Sequence, residues 1–156
     1  MPSALARKSP VLLKPRFWAG VWGVWFLILF TLSSMSHPGP VIDVDNIDKV
    51  EHALFFAFGG AALALSRILK DGAVGADGDG KARAGELQSA GRNLKWTALL
   101  VLVVGAAVGW FDEWHQSFTP GRSGLDIYDW LADITGSLLA VPLALVIRSL
   151  LSGVRS

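Results

Sequence analysis

Cysteine is absent from this chain of 156 residues. Its absence excludes disulfide bridges, thiolate nucleophiles and metal sites built on cysteine. Charged residues are also scarce, at 17% of the chain against about a quarter in a typical soluble domain. Hydrophobic residues make up 52% of the chain. A chain of this length forms one domain, and this balance is typical of a domain whose solvent is partly lipid.

Four apolar stretches are long enough to cross a bilayer as α-helices, which need about 20 residues each. An open strand is excluded there, because its backbone polar groups would stay unsatisfied in lipid. The first stretch follows basic residues but is too long for a secretory signal and lacks its cleavage site, so it predicts a retained helix. The fold predicted is an all-α, polytopic membrane protein with a bundle of four transmembrane helices. The predicted spans cover residues 17–35, 50–69, 96–116 and 128–151.

The rest of the chain divides into a tail and a linker around this domain. Residues 1–16 predict a basic tail, and residues 17–151 a single four-helix membrane domain. Within that domain, residues 71–91 are rich in Gly, Ala and Asp and have few bulky apolar side chains. Such a composition cannot bury enough surface to order itself, which predicts a flexible cytoplasmic linker.

The basic residues predict the orientation of the bundle. All Lys and Arg residues except Lys49 and Arg122 fall on one side of a four-span arrangement. Because basic loops stay in the cytoplasm, both termini are predicted to be cytoplasmic. The opposite, outer side holds most of the acidic residues, and acids contribute little to orientation. Their clustering therefore needs its own explanation.

Ionisable residues also enter the spans themselves at this outer side. His52 and Asp133 lie about one turn inside the second and fourth spans. Such a group costs several kcal/mol in lipid unless it faces protein, water or a partner. We therefore expect the second, third and fourth helices to turn their polar faces toward one outer-leaflet pocket. The predicted pocket residues are Asp48, Lys49, His52, Asp112, Glu113, Gln116, Arg122, Asp129 and Asp133.

Several pocket residues also have a purely structural interpretation, whereas Asp133, an acid inside a span, is a functional candidate by default. Asp48 and Lys49 can cap a helix at the lipid headgroups, and His52 can donate a hydrogen bond between helices. Asp112 and Glu113 can form a solvated helix end. As a set they favour a functional pocket, because a solvated rim needs no ionisable residue inside the spans.

Small residues recur at four-residue spacing on three of the predicted helices. This spacing lets helix backbones approach closely in a membrane, so it predicts contacts between the helices. The residues are Ala53, Ala57 and Ala61 on the second helix, Gly105 and Gly109 on the third, and Gly136 and Ala140 on the fourth.

In its polar motifs and their order along the chain, the sequence resembles the VanZ-like family of bacterial membrane proteins, over about residues 17–150. Asp133 and Ala140 depart from the resemblance, since family members commonly have Asn and Gly there. The resemblance implies residence in the cytoplasmic (inner) membrane. The matching motifs are Asp48-Lys49-x-x-His52 before Phe55, Phe58 and Gly59, then Asp112-Glu113-x-x-Gln116, Pro120-Gly121-Arg122, and Asp129-x-x-x-Asp133-x-x-Gly136.

Two functional hypotheses remain open. The first is a non-enzymatic envelope protein that binds a lipid-linked or cell-wall ligand, or another envelope protein, at the outer-leaflet pocket. The family itself is named for a protein associated with resistance to the glycopeptide teicoplanin, and most of its members have no assigned activity. The alternative is a membrane hydrolase or transferase acting on a phosphate-containing lipid-linked substrate. His52 would then be the general base, Asp48 or Glu113 its orienter or a proton donor, and Arg122 an anion clamp. A proton or ion pathway is disfavoured, because the inner halves of the spans offer almost no polar residues.

The expected partners are membrane lipid and the ligands just described, with no nucleic acid. No cofactor is predicted, and no metal. His52, Asp112, Glu113 and Asp133 do offer nitrogen and oxygen ligands, but nothing in their spacing requires a metal ion.

Overall fold

The computed structural model describes residues 11–36, 47–72 and 84–153. These residues form four α-helices, and no strand occurs among them. All four helices are long and apolar enough to cross a membrane. The predicted all-α bundle of four helices is therefore confirmed. The helices are α1 (Pro15–Ser33), α2 (Ile47–Gly72), α3 (Ala84–Gln116) and α4 (Ile127–Gly153), and a short 3-10 helix (Val11–Leu13) precedes α1.

The structure differs from the predicted linker at both of its ends. Residues 71–72 complete α2, and residues 84–91 form the first two turns of α3. The early part of α3 contains Ala, Glu, Leu and Gln, which are strong helix formers, so a polar helix continues the apolar span. The remaining linker residues, 73–83, lie outside the described residues. So do residues 1–10 of the predicted tail, whose last residues, Pro15 and Arg16, begin α1.

Helix α2 lies at the centre of the bundle and packs against the other three helices. It runs parallel to α4, since His52 contacts Asp133 near the start of both helices and Gly60 faces Ala140 further along. Helix α3 runs antiparallel to α4, with Gly109 facing Asp133. The last turns of α1 and α3 therefore meet the first turns of α2 and α4. We call this meeting point the polar end.

Small residues set the distance between α2 and α4. A Cβ atom on Gly136 would collide with the backbone of Ala53 and Ala57, so the two helices touch almost backbone to backbone. A Cβ atom on Gly60 would collide with the side chain of Ala140. The predicted helix contacts through these small residues are confirmed, and they fix the register in which α2 and α4 present their polar first turns.

Two apolar clusters fill the bundle away from the polar end. In the smaller one, Trp25 is buried against Phe56, and its indole nitrogen donates a hydrogen bond of 3.0 Å to the Phe55 carbonyl oxygen. Gly59 leaves the space that the Trp25 ring occupies. The larger cluster joins α2, α3 and α4 through Ala61, Ala64, Leu65, Ile68, Val101, Ala140 and Ala144.

The outside of the bundle is apolar along the middle of the helices. Leu27, Val103 and Leu138 are each more than half exposed. A soluble monomer rarely exposes a contiguous apolar surface of this extent, whereas lipid tails cover it without penalty. The exposed surface therefore agrees with the length and hydropathy of the four helices.

Candidate functional site

The polar end brings all nine predicted pocket residues together, in two groups. The first, which we call the surface cluster, is centred on Lys49 and contains Asp48, Asp126 and Asp129. The second, which we call the buried cluster, consists of His52, Asp112, Glu113 and Asp133. Gln116 and Arg122 adjoin the buried cluster.

In the surface cluster one ammonium group forms ion pairs with three carboxylates. The Nζ atom of Lys49 lies 2.6 Å from Asp48 Oδ2, 3.3 Å from Asp126 Oδ2 and 2.8 Å from Asp129 Oδ1. The Lys49 side chain keeps about a quarter of its surface exposed, at 26%. These contacts join the start of α2 to the start of α4.

Asp126 is a site residue that the predicted set omits. It precedes α4, and its Oδ1 atom accepts a hydrogen bond of 2.8 Å from the Tyr128 backbone N–H. This is the geometry of an N-cap, which satisfies one of the free N–H groups at a helix start. The hydrogen bond from Tyr128, followed by the contact with Lys49, holds the pKa of Asp126 below its ordinary value. An Asp just before a helix is the sequence signal that identifies such a cap.

In the buried cluster the central contact is a pair between α2 and α4. His52 Nδ1 lies 2.9 Å from Asp133 Oδ1, and the Asp133 side chain is fully buried. With an ionised Asp133, Nδ1–H is the donor, and Nε2 is the ring nitrogen left outside this bond. Gly109 provides the space for Asp133, because a Cβ atom there would collide with the carboxylate.

This pair corrects the predicted roles around His52. Asp133 is the residue that orients the imidazole, in place of the predicted Asp48 or Glu113. Asp48 pairs with Lys49 instead, and its side chain is 55% exposed. The register between α2 and α4 explains the difference, because it places the fourth-helix carboxylate directly beside His52.

Glu113 connects the buried cluster to the segment between α3 and α4. Its Oε2 atom accepts a hydrogen bond of 2.7 Å from the Asp126 backbone N–H, and its backbone oxygen accepts one of 3.2 Å from the Leu125 N–H. Leu125 has φ of 66°, in the left-handed region that leucine rarely adopts. This strained conformation accompanies the two hydrogen bonds that fix Glu113. The sequence carries no signal for it.

Within the part of the chain that the structure describes, Arg122 is linked to the buried cluster through Gln116. The Nε atom of Arg122 donates a hydrogen bond of 3.1 Å to Gln116 Oε1, and Nη2 donates to the same oxygen. The amide nitrogen of Gln116 then donates one of 2.7 Å to Asp112 Oδ2. Gln116 thus separates the guanidinium from the carboxylate by one side chain.

Helix α1 closes the polar end through residues that the sequence did not single out. Ser33 Oγ lies 3.1 Å from His115 Nδ1, and the Ser33 backbone oxygen accepts a hydrogen bond of 3.0 Å from Thr119 Oγ1. A serine and a threonine at a helix end are too common to indicate a site. Their role follows only from the packing of α1 beside α3.

The described residues do not form the predicted open pocket. The two best-formed cavities among them measure about 10 Å³ and about 0 Å³. The first is lined by Trp22, Trp25 and Phe56 and lies among apolar side chains. A volume of this size holds one water molecule at most. The polar side chains of the described residues occupy the space between the helices, and these two cavities are too small for an organic ligand.

Two buried oxygens of the cluster nevertheless lack a hydrogen-bond partner among the described residues. They are Glu113 Oε1 and Asp133 Oδ2. One nitrogen or oxygen atom from each of His52, Asp112 and Glu113 lies within 4.8 Å of the others. One imidazole nitrogen and two carboxylate oxygens are the type of ligand set that holds a metal ion.

No protein-family model matches this chain, and no curated protein or solved structure matches it either. The function is therefore inferred from the geometry of the polar end, and the resemblance to the VanZ-like family stays a prediction.

Proposed function

We propose that this chain is a VanZ-like membrane protein of the bacterial cell envelope that binds an anionic, lipid-linked cell-wall ligand at its polar end. In this proposal the chain lies in the cytoplasmic membrane with both termini inside. The polar end then faces outward, as the distribution of basic residues predicts. The absence of an open cavity among the described residues modifies the sequence hypothesis: the ligand binds on the surface of the polar end.

The proposal rests on the contacts that the two basic side chains at the polar end, Lys49 and Arg122, make with their neighbours. Lys49 forms ion pairs with three carboxylates. Arg122 directs both of its described hydrogen bonds to a single acceptor, Gln116 Oε1, and it is only half-buried. A guanidinium carries five N–H donors in a planar fork that matches phosphate. Arg122 therefore has donors left for an anionic group.

Exposed aromatic rings at the same end suit the lipid part of such a ligand. Trp114, Phe118 and Tyr128 are 48%, 68% and 68% exposed. Trp and Tyr prefer the boundary between lipid and water. A ligand whose phosphate contacts Arg122 and whose chain enters the bilayer would use both features. A link to glycopeptide resistance rests on the family resemblance alone.

An enzyme remains the second candidate, because the His52–Asp133 pair has the arrangement of a base held by an orienting carboxylate. The reaction would be hydrolysis or transfer on a phosphate-containing lipid-linked substrate. The His52 side chain is largely buried and only 16% exposed. The polar end would have to open before a substrate could reach it.

The test measures binding of farnesyl pyrophosphate, a short polyprenyl pyrophosphate, to the protein in nanodiscs. Arg122→Ala is expected to weaken binding by about tenfold or more, because a hydrogen bond to a charged group contributes about 1.5–3 kcal/mol. Arg148→Ala, an exposed cation near the other end of α4, is the matched control and should bind like the wild type. Equal affinity of the Arg122→Ala and wild-type proteins would contradict the proposal.

The same samples separate binding from catalysis. Release of phosphate from farnesyl pyrophosphate by the wild type, lost in His52→Ala, would establish the enzyme instead. In cells, glycopeptide susceptibility with and without the gene, and with Arg122→Ala, tests the link to resistance. No change on deletion would detach this chain from that phenotype.

A further inference from the structure

We propose that the buried cluster binds one divalent transition-metal cation, with His52, Asp112 and Glu113 as its ligands. This site does not depend on the proposed function. A metal could occupy it whether or not a lipid-linked ligand binds at the surface. The sequence spacing did not require a metal, but the packing of α2 against α3 and α4 assembles the set.

The three proposed ligands come from two neighbouring helices. His52 comes from α2, and the two carboxylates are consecutive residues in the last turn of α3. Their ligand atoms lie within 4.8 Å of one another. Three evenly spaced ligands around one metal ion at about 2.1 Å lie at most roughly 3.6 Å from one another. The ion therefore fits after each ligand atom moves inward by up to about 0.7 Å.

The charge balance of the buried cluster favours a bound cation. Asp112, Glu113 and Asp133 are 3%, 1% and 0% exposed. Among the described residues, His52 pairs directly with Asp133 and lies within 4.8 Å of Asp112 and Glu113, while Arg122 contacts Gln116 and Lys49 pairs with the surface cluster. Buried carboxylates without a compensating charge are strongly destabilising. A divalent ion offsets the negative charge that one imidazole leaves.

A second observation points to a ligand independently of the acidic composition. Glu113 Oε1 is buried and has no hydrogen-bond partner among residues 11–36, 47–72 and 84–153, although the other oxygen accepts a hydrogen bond from the Asp126 N–H. Leaving a buried acceptor unsatisfied costs about 1–3 kcal/mol, and more for a charged group. The backbone around Leu125 is strained where these bonds form. A metal ion at Oε1 explains why the fold tolerates this atom.

The contacts around the ligands have the form expected of outer-shell support. Metal-binding histidines usually give their second ring nitrogen to a carboxylate, which fixes the tautomer and the ring orientation. Asp133 makes that contact with His52 Nδ1, which directs Nε2 to the metal. Gln116 holds Asp112 in the same manner. Asp133 and Gln116 are positioning residues in this proposal.

The ligand set selects a class of metal. One imidazole and two carboxylates suit Zn²⁺, Mn²⁺ or Fe²⁺, whereas Ca²⁺ and Mg²⁺ favour oxygen ligands alone. Three protein ligands leave at least one coordination position for water.

The test uses protein without a polyhistidine tag, purified in detergent and stripped with EDTA. Mn²⁺ and Zn²⁺ are titrated separately, and bound metal is measured by mass spectrometry after gel filtration. The wild type is expected to retain about one ion per chain. Glu113→Gln and Asp112→Asn, which keep the side-chain shape, are each expected to weaken binding at least tenfold.

Two matched controls should bind like the wild type. Asp48→Asn removes an exposed acid that contacts Lys49, and His115→Ala removes a histidine outside the ligand set. Equal metal retention by Glu113→Gln and the wild type would overturn the proposal. So would failure of the wild type to bind either metal.

A spectroscopic measurement on the wild type tests whether a histidine is a metal ligand, even if a variant does not fold. Electron spin-echo spectra of the Mn²⁺ form should show nitrogen coupling from one imidazole, retained in His115→Ala. Absence of nitrogen coupling, or its loss in His115→Ala alone, would place the metal elsewhere and contradict this site.

Discussion

The two clusters of the polar end use the same residue types under opposite conditions. In the surface cluster, Lys49 and its three carboxylates keep 13–55% of their side-chain surface exposed. Water and salt screen such pairs, and each contributes little to stability. In the buried cluster, Asp133 is fully enclosed and depends on the imidazole beside it. Burial therefore decides which of these ion pairs the fold depends on.

The largest expected effect comes from breaking the buried pair. His52→Leu leaves Asp133 without its partner, and we expect a loss of about 3–5 kcal/mol of stability. The double variant His52→Leu with Asp133→Leu removes both polar groups, so it should be less destabilised than the single one. Unfolding in mixed micelles with increasing SDS measures both. A double variant as unstable as the single variant would remove the distinction between the clusters.

A smaller loss is expected from filling the space that Gly109 leaves for Asp133. In Gly109→Val the added atoms collide with the buried carboxylate, and overpacking of this kind costs about 1–3 kcal/mol. Gly20→Val is the control, because a Cβ atom at Gly20 meets nothing within 4 Å. Thermal unfolding in detergent compares the two. Equal unfolding midpoints of Gly109→Val and Gly20→Val would show that Asp133 does not need the space beside Gly109.

The helix cap at α4 should have an intermediate effect that depends on pH. Asp126→Ala removes the bond to the Tyr128 N–H and should cost about 1 kcal/mol at pH 7. The folded state lowers the pKa of Asp126, so this stabilisation is complete above the ordinary pKa of an aspartate and is lost as the pH falls through the lowered value. The difference in unfolding midpoint between wild type and Asp126→Ala should shrink from pH 7 to pH 3. A constant difference would contradict the cap.

The smallest effect is expected at the centre of the surface cluster. Lys49→Gln removes three ion pairs at once, yet the side chain is partly exposed, and we expect a loss of about 0–1 kcal/mol. High salt should reduce this loss further. Unfolding midpoints in low and high salt measure it. A loss as large as that of His52→Leu would mean that the surface cluster is buried in the membrane-embedded protein.

The apolar length of the four spans made the helical bundle predictable, while the extra turns of α3 were not. Residues 84–91 are polar, and hydropathy cannot distinguish a polar helix from a polar linker. Four-residue spacing of small residues predicted the contacts between helices, since close approach needs small side chains at those positions. Orientation in the membrane stays a prediction from the positions of the basic residues.

The sequence predicted which residues belong to the polar end more readily than which of them contact one another. Ionisable residues inside the spans had to face the bundle interior, so the sequence identified His52 and Asp133. Their direct contact depends on the register of α2 against α4, which is set by the fit of Gly136 against Ala53. The filled interior and the conformation of Leu125 depend on packing between distant segments. Spacing along one helix contains no information on either.

The pairing of His52 with Asp133 also has a consequence for biosynthesis. The two residues are 81 positions apart. At about 5–20 residues per second, ribosomes would need roughly 4–16 s to make the intervening chain. During that interval a nascent α2 carries an imidazole whose carboxylate has not yet been made. Chains terminated before α4 would keep this imidazole without its carboxylate, at the cost that an unpaired ionisable group has inside a membrane helix.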